Sequence, residues 1–258
     1  MEAITFPSES GSVIGAWWIR GAPGCGAVVL AHSVRSDRRE LVDRARFLHR
    51  AGYSLLLFDA QAHGESPGER ITFGYLEARD ARAAVSWVRS RWPAESIGYL
   101  GVSQGGAAAL LGSAPLPVRA LVLEAVYPTL REAVVARLAI RLGPLAELLA
   151  PLLLVQVAPR LGVDPDSVAP IEGIRQVTAP LLLIAGERDR HTPLAQSRRL
   201  FEAAPAPKTF WVVRGAEHVD FHRVDPLAYE HRVVEFLDAT LRKSAARSCR
   251  LSPSRRAG

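Results

Sequence analysis

The chain predicts an α/β protein built on a mostly parallel sheet. Short apolar runs alternate with helical patterns over most of its 258 residues, and several of those runs are apolar at nearly every position. In addition, Gly101-Val102-Ser103-Gln104-Gly105 joins one such run directly to a small-residue apolar helix. Continuous apolar runs suit strands covered on both faces, because the crossovers of a parallel sheet lay helices on either side. The length exceeds that of many single domains, yet sheets of this class commonly form one.

Eight strands are expected, at residues 3–6, 13–19, 27–31, 53–58, 97–100, 120–123, 181–185 and 209–213. The first two flank Ser8-Glu9-Ser10-Gly11, a turn signal that predicts an antiparallel hairpin at one sheet edge. Leu41, Ala45 and Leu48 mark a helix between the third and fourth strands, and Ala81, Ala84, Val85 and Val88 mark one between the fourth and fifth. Pro193 and Pro226 each open a further helix, since proline suits the first helical turn. The alternation stops between Tyr127 and Ile174, where apolar helical stretches at 130–142 and 145–157 are divided by Gly143-Pro144 with no strand between them. That segment is too long for a simple crossover and too apolar for an open loop. It predicts a helical cap insertion, at about 127–174, over the active edge of the sheet, with Leu138, Leu142, Leu145, Leu148 and Leu152 available to face inward. The domain is expected to span residues 1–241, followed by a basic, disordered tail at 242–258 that is rich in Ser, Arg and Ala.

Composition narrows the classes of function. A chain with 48% hydrophobic and 22% charged residues has a sizeable core and a soluble surface. Six of its 32 basic residues lie from Arg242 onward, and the other 26 balance the 26 acidic ones. The net charge of +6 therefore belongs to the tail, and the neutral body predicts no nucleic-acid partner. Cys25 and Cys249 fit no disulfide framework or metal spacing. The first six residues lack the pattern of a signal peptide, and no run reaches the roughly 18 apolar residues of a membrane span. A cytoplasmic protein without stable membrane insertion is the expectation.

The pentapeptide around Ser103 carries the chemistry. A strand turning sharply into a helix crowds the backbone at the serine, and the flanking glycines remove the side chains that would clash. The turn lifts the hydroxyl above the sheet and sets the next N–H, that of Gln104, at a helix N-terminus, where partial positive charge favours an oxyanion. Serine needs a base to accept its proton as it attacks. His218 follows the last strand, and Asp189 follows the one before it, so both lie on the rim formed by the carboxyl ends of parallel strands. Asp189, deeper in its loop than Glu187, is the carboxylate chosen to orient the imidazole. Bland roles compete with each: a glycine-lined turn for Ser103, a helix cap for Asp189, a surface loop for His218. The three together, in strand–loop context, favour catalysis. His218 and His222 have metal-like spacing, but no accompanying ligand pattern supports a metal, and none is expected. His32, His63 and Asp59 are expected to shape loops, Glu77, Arg79 and Asp80 to form a solvated or loop-bracing face, and the five tryptophans to pack.

The order Ser103, Asp189, His218 resembles that of the α/β-hydrolase superfamily. The likeness extends over nearly the whole chain except the tail. Val28-Val29-Leu30-Ala31-His32-Ser33 is similar to the strand that in this family ends in His-Gly, and Asp59-Ala60-Gln61-Ala62-His63-Gly64-Glu65-Ser66 to its Asp-x-x-x-His-Gly-x-Ser block. Gly215-Ala216-Glu217-His218 resembles its histidine loop. Within the superfamily the chain is similar to bacterial serine hydrolases of the esterase and acyl-peptidase-like type. The resemblance implies an α/β-hydrolase fold, no cofactor, and an oxyanion hole formed by the N–H groups of Gln104 and Val34. Ser33 departs from the pattern, which has glycine there, and its hydroxyl is a candidate additional donor.

These features predict a serine hydrolase that cleaves an ester or related acyl bond of a small or medium, largely apolar substrate through an acyl-enzyme. A serine nucleophile argues against dehalogenase and epoxide-hydrolase chemistry, which needs an alkyl ester of aspartate. The alternatives are a thioesterase, peptidase or acyltransferase using the same three residues, or a binding protein that keeps the fold without catalysis. The intact Ser, Asp and His count against the last.

Overall fold

The computed structural model describes residues 1–218 and 220–242. Its strands are β1 (Glu2–Pro7), β2 (Val13–Ile19), β3 (Ala27–Ala31), β4 (Ser54–Phe58), β5 (Ile97–Val102), β6 (Ala120–Glu124), β7 (Leu181–Gly186) and β8 (Lys208–Val213). They form one eight-stranded sheet in the order β1-β2-β4-β3-β5-β6-β7-β8. The pairs β1–β2 and β2–β4 are antiparallel and the rest are parallel, so the predicted hairpin lies at one edge. The all-apolar runs of β3, β6 and β7 are buried at every residue, as two-sided coverage requires.

The covering helices are α1 (Val42–Arg50), α2 (Glu77–Arg91), α3 (Gln104–Leu110), α4 (Leu130–Leu142), α5 (Leu145–Leu154), α6 (Val157–Leu161), α7 (Pro170–Ile174), α8 (Leu194–Ala203), α9 (Phe221–Val224) and α10 (Pro226–Leu241). One core lies between the sheet and α2, α3, α7 and α8, with Val85, Val88, Ala108, Ile174 and Leu200 among its members. The other lies between the sheet and the pair α1 and α10, through Phe47, Leu48, Val233 and Leu237. Trp18 stacks on Trp92 at 4.1 Å and meets Trp87 edge-on, so these indoles serve packing. The segment between β6 and β7 holds helices and no strand among the described residues, as expected, but the second apolar stretch ends at Leu154 rather than 157 and a new helix starts at Val157. No helix among the described residues is long and apolar enough to cross a membrane.

The expected tail lies, beyond Arg242, outside the described residues. Arg242 itself departs from that expectation. Its guanidinium pairs with Asp238 at 2.9 Å, donates to the carbonyl of Ala51 at 2.6 Å and lies over the Tyr53 ring, so it docks on the body.

One buried polar cluster ties α1, the end of β6 and α10 together. Arg44 on α1 is 1% exposed and meets Glu124, the last residue of β6, through two contacts of 2.7 and 3.1 Å. It also pairs with Asp220 at 2.9 Å, and the Tyr229 hydroxyl of α10 donates to Glu124. Desolvation opposes the guanidinium charge, but Glu124 and the other neighbours more than offset it and hold its pKa well above the ordinary value. Removing one member strands a buried carboxylate. Arg44→Met is expected to cost about 3–5 kcal/mol in urea denaturation, with most of that loss recovered when Glu124→Leu is added.

Candidate active site

β5 delivers the chain to Ser103, and the turn there is enforced by packing. Ser103 has φ of +48°, a region that non-glycine residues enter at a cost and that clusters at functional sites. A Cβ on Gly105 would lie 2.5 Å from the Ala31 carbonyl oxygen, and one on Gly106 would lie 2.3 Å from Val126. α3 therefore presses against β3 and the start of the β6–α4 connection as only glycine permits. The Ser103 N–H donates to the Glu124 carbonyl at 2.7 Å, and the Tyr99 hydroxyl donates to the Gly105 carbonyl at 2.8 Å. Both bonds hold the turn. The Ser103 hydroxyl has no hydrogen-bond partner among the described residues, and such contacts are commonly long without substrate.

The loop after β7 forms the carboxylate side. Asp189 Oδ1 accepts the N–H groups of His191 and Thr192, each at 2.8 Å. Its Oδ2 lies 2.7 Å from Nδ1 of His218, which donates to it. The cap-like bonds of Asp189 and its bond to His218 thus use different oxygens. Thr192 in turn donates to the Ala125 carbonyl, anchoring this loop beside the residue after β6. Asp189 is buried while His218 remains partly open, the arrangement a general base requires.

Two histidines fix the loop after β3. His32 donates from Nδ1 to the Ser33 carbonyl at 2.7 Å and accepts the Ala60 N–H at Nε2. Burial lowers its pKa and favours the neutral ring that this pattern needs. His63 accepts the Arg35 N–H at Nε2 and donates from Nδ1 to the Gln61 carbonyl. Val34 therefore sits between two anchored residues. Neither its N–H nor that of Gln104 donates to another group among the described residues. Ser33 does not add a donor: its hydroxyl and its N–H both go to Glu40 at 2.9 Å. Asp59 accepts from Arg38 and Glu65, and Glu77 accepts from Thr72, Gly74 and Gln61, so both brace loops. Asp80 also braces, accepting from Ser8, Ser10 and Gln61, while burial raises its pKa. Glu77 and Asp80 are buried rather than solvated; of the trio only Arg79 is exposed.

His191 was not among the residues singled out by sequence. Its ring lies 4.7 Å from that of His218, and burial lowers its pKa, with His218 a further cause. Its position two residues after Asp189, in a rim loop, was the available signal. Asp189, His191 and His218 offer ligand atoms within 4.8 Å of one another and are the candidate metal-holding set among the described residues. The Asp189 oxygens, however, already accept three hydrogen bonds, an arrangement suited to orienting imidazole. His222 lies elsewhere, stacked on Phe47 and 3.1 Å from Glu230.

A cavity of about 400 Å³ opens from Val34 and Gln104, the two residues with unpaired N–H groups. Phe73, Tyr127, Leu130, Ala133, Val134, Leu138 and Leu153 form its apolar wall, with Arg35, Arg137 and Arg141 also lining it. The leucines expected to face inward are corrected here. Leu138 lines the cavity, but Leu142, Leu145, Leu148 and Leu152 are exposed, Leu148 at 73%. α5 packs instead through Ala146, Ala150 and Leu154, which recur at i, i+4 and i+8. That stripe of small residues permits close contact with α4 and turns the leucine stripe outward.

Known proteins with this arrangement confirm the architecture. The family model described as serine aminopeptidase, S33 matches residues 22–172. An uncharacterized protein of Mycobacterium tuberculosis is 32% identical over 241 residues, spanning 92% of this chain and 79% of that protein. An esterase from Pyrococcus furiosus superposes with a TM-score of 0.76 at 24% identity, covering 93% of this chain and 91% of its own. An alpha/beta hydrolase from a Penicillium species gives 0.73 at 19% identity, covering 93% and 98%. The fold is that of the α/β-hydrolases, as the sequence resemblance implied.

The geometry predicts that Asp189→Asn, which cannot accept from His218 in the same tautomer, lowers kcat on an activated ester by about 10⁴-fold while KM stays near its original value. Steady-state kinetics on p-nitrophenyl butyrate would check this.

Proposed function

The chain belongs to the serine aminopeptidase S33 family of α/β-hydrolases, and from that premise we propose that it is a serine hydrolase acting on carboxylic esters of small or medium, largely apolar acyl groups. The observation that carries this reading is the strained Ser103 at the N-terminus of α3, beside two unpaired N–H groups and on the same rim as the bonded Asp189–His218 pair. Ser103 attacks the carbonyl carbon as His218 takes its proton. The developing oxyanion accepts from Gln104 and Val34, each donor worth about 3 kcal/mol. His218 then protonates the leaving alcohol, and water, activated by the same imidazole, releases the acid and restores the serine.

The family description raises a peptidase as the alternative. An aminopeptidase must hold the ammonium group of its substrate, and a buried cation needs an anionic partner. No Asp or Glu is among the residues that line the cavity. The apolar wall of α4 favours an acyl chain instead, and the reaction needs only a small-molecule ester and water.

A fluorophosphonate probe tests the nucleophile. It is expected to label the protein at Ser103, with labelling abolished by Ser103→Ala; an adduct mapped to another serine would overturn the assignment. Leu138→Trp, which fills part of the cavity, is expected to shift the kcat/KM ratio of p-nitrophenyl acetate to p-nitrophenyl octanoate toward the short ester. The shift should reach tenfold or more, since about 1–3 kcal/mol is at stake per methylene in an apolar pocket.

A further inference from the structure

Three arginines line the cavity described above, and no Asp or Glu does. Leu130, Ala133, Val134, Arg137, Leu138 and Arg141 follow one another at spacings of three, one, three, one and three residues, so they form a single face of α4. The end nearest Tyr127 is apolar and the far end is cationic. Arg137 and Arg141 stand four residues apart on that face, where like charges repel. Arg35, at φ +58° in the loop that carries Val34, adds a third positive residue to the lining from outside α4.

None of the three has an ion-pair partner among the described residues, and the described contact of Arg137 is a 3.5 Å approach to the Ala133 carbonyl. The acid on the same helix, Glu132, is engaged with Arg199 at 3.0 Å. Arg137 is half-buried against apolar walls, which strengthen its field. A neutral acyl chain would leave these cations uncompensated, whereas an oxyanion would accept from them as guanidinium groups prefer.

We infer that the preferred substrate is an ester whose acyl chain ends in an oxyanion, a carboxylate or a phosphoryl group, held by Arg137 and Arg141 with Arg35 at the mouth. The inference rests on the acyl pocket of the proposed hydrolase, and it names the class of acid released: a dicarboxylic acid or its phosphoryl counterpart.

The test separates binding from catalysis. Full-length protein carrying Ser103→Ala is titrated calorimetrically with monomethyl suberate, methyl 7-phosphonoheptanoate and the neutral dimethyl suberate, which share the ester and six methylenes. At least one of the two anions is expected to bind tenfold or more tightly than dimethyl suberate at low salt, and their ranking identifies the oxyanion. The preference is expected to fall below twofold when Arg137→Gln and Arg141→Gln are added, and to shrink at 0.5 M salt. Arg131→Gln, on α4 but outside the cavity lining, should leave it in place. Arg141→Glu, a single exposed change that spares the fold, should weaken both anions relative to the diester. Equal or weaker binding of the anions, no detectable binding of any of the three at millimolar concentration, or a preference that survives both glutamine substitutions would overturn the inference. Fluorophosphonate labelling of the wild-type chain reports on the hydrolase reading separately: loss of the anion preference with Ser103 labelled sinks the substrate class alone, and the reverse result sinks the nucleophile alone.

Discussion

The contact on which the rest depends is the close approach of α3 to β3 and to the chain after β6. Gly105 and Gly106 leave no room for a Cβ there, and the resulting turn holds Ser103 at positive φ. A turn of this kind stores strain that the surroundings must over-determine. They do so with the Ser103 N–H on the Glu124 carbonyl and the Tyr99 hydroxyl on the Gly105 carbonyl. The same crowding aligns the first N–H of α3 with the mouth of the cavity. The position of the Ser103 hydroxyl and that of the Gln104 N–H, the nucleophile and oxyanion donor of the proposed reaction, are thus two consequences of one packing constraint.

Around that turn the protein fixes its loops with buried polar groups instead of apolar surface alone. Loops at the ends of parallel strands lack ladder partners, so side chains must satisfy their backbone groups. His32 and His63 do this for the loop bearing Val34, Asp59 and Glu77 for the two segments beside it, and Asp189 for its own loop. Arg44 joins the end of β6 to Asp220, two residues beyond His218. The loop that carries His218 and the end of β6, which holds the Ser103 turn, are therefore braced through one buried guanidinium. Ser33 belongs to this scheme: where the family resemblance implied glycine, its hydroxyl contributes a tether to Glu40 and takes no part in the oxyanion hole.

The helical segment between β6 and β7 adds one wall of the cavity and an unexpected outer surface. α4 supplies one face that runs from leucine to arginine, so its chemistry changes along the cavity. α5 supplies Leu153 to the lining but turns Leu145, Leu148 and Leu152 outward. A helix that is apolar on all sides must leave one apolar side exposed once a neighbouring helix claims another.

The sequence by itself determined the eight strands, the mostly parallel character of their sheet and the chain order Ser103, Asp189, His218, because each of these is local. A strand buried on both faces announces itself in its own residues, and a glycine-flanked serine between strand and helix admits one geometry. The loop-bracing histidines were legible from their motifs, although one bond of each, His32 with Ala60 and His63 with Arg35, reaches backbone 28 residues away. Tertiary structure decided what depends on who packs against whom. The leucine stripe of α5 and its alanine stripe have equal claims as an inward face by periodicity, and only contact with α4 chose the alanines. Glu77 and Asp80 read as either a solvated or a loop-bracing face, and for Asp80 only the fold decided, by bringing Ser8 and Ser10 onto its carboxylate. His191 gained its place beside His218 only when the loops after β7 and β8 met. Arg35, Arg137 and Arg141 are separated by about a hundred residues of chain, and their shared cavity exists only because parallel strands bring their following loops to one rim.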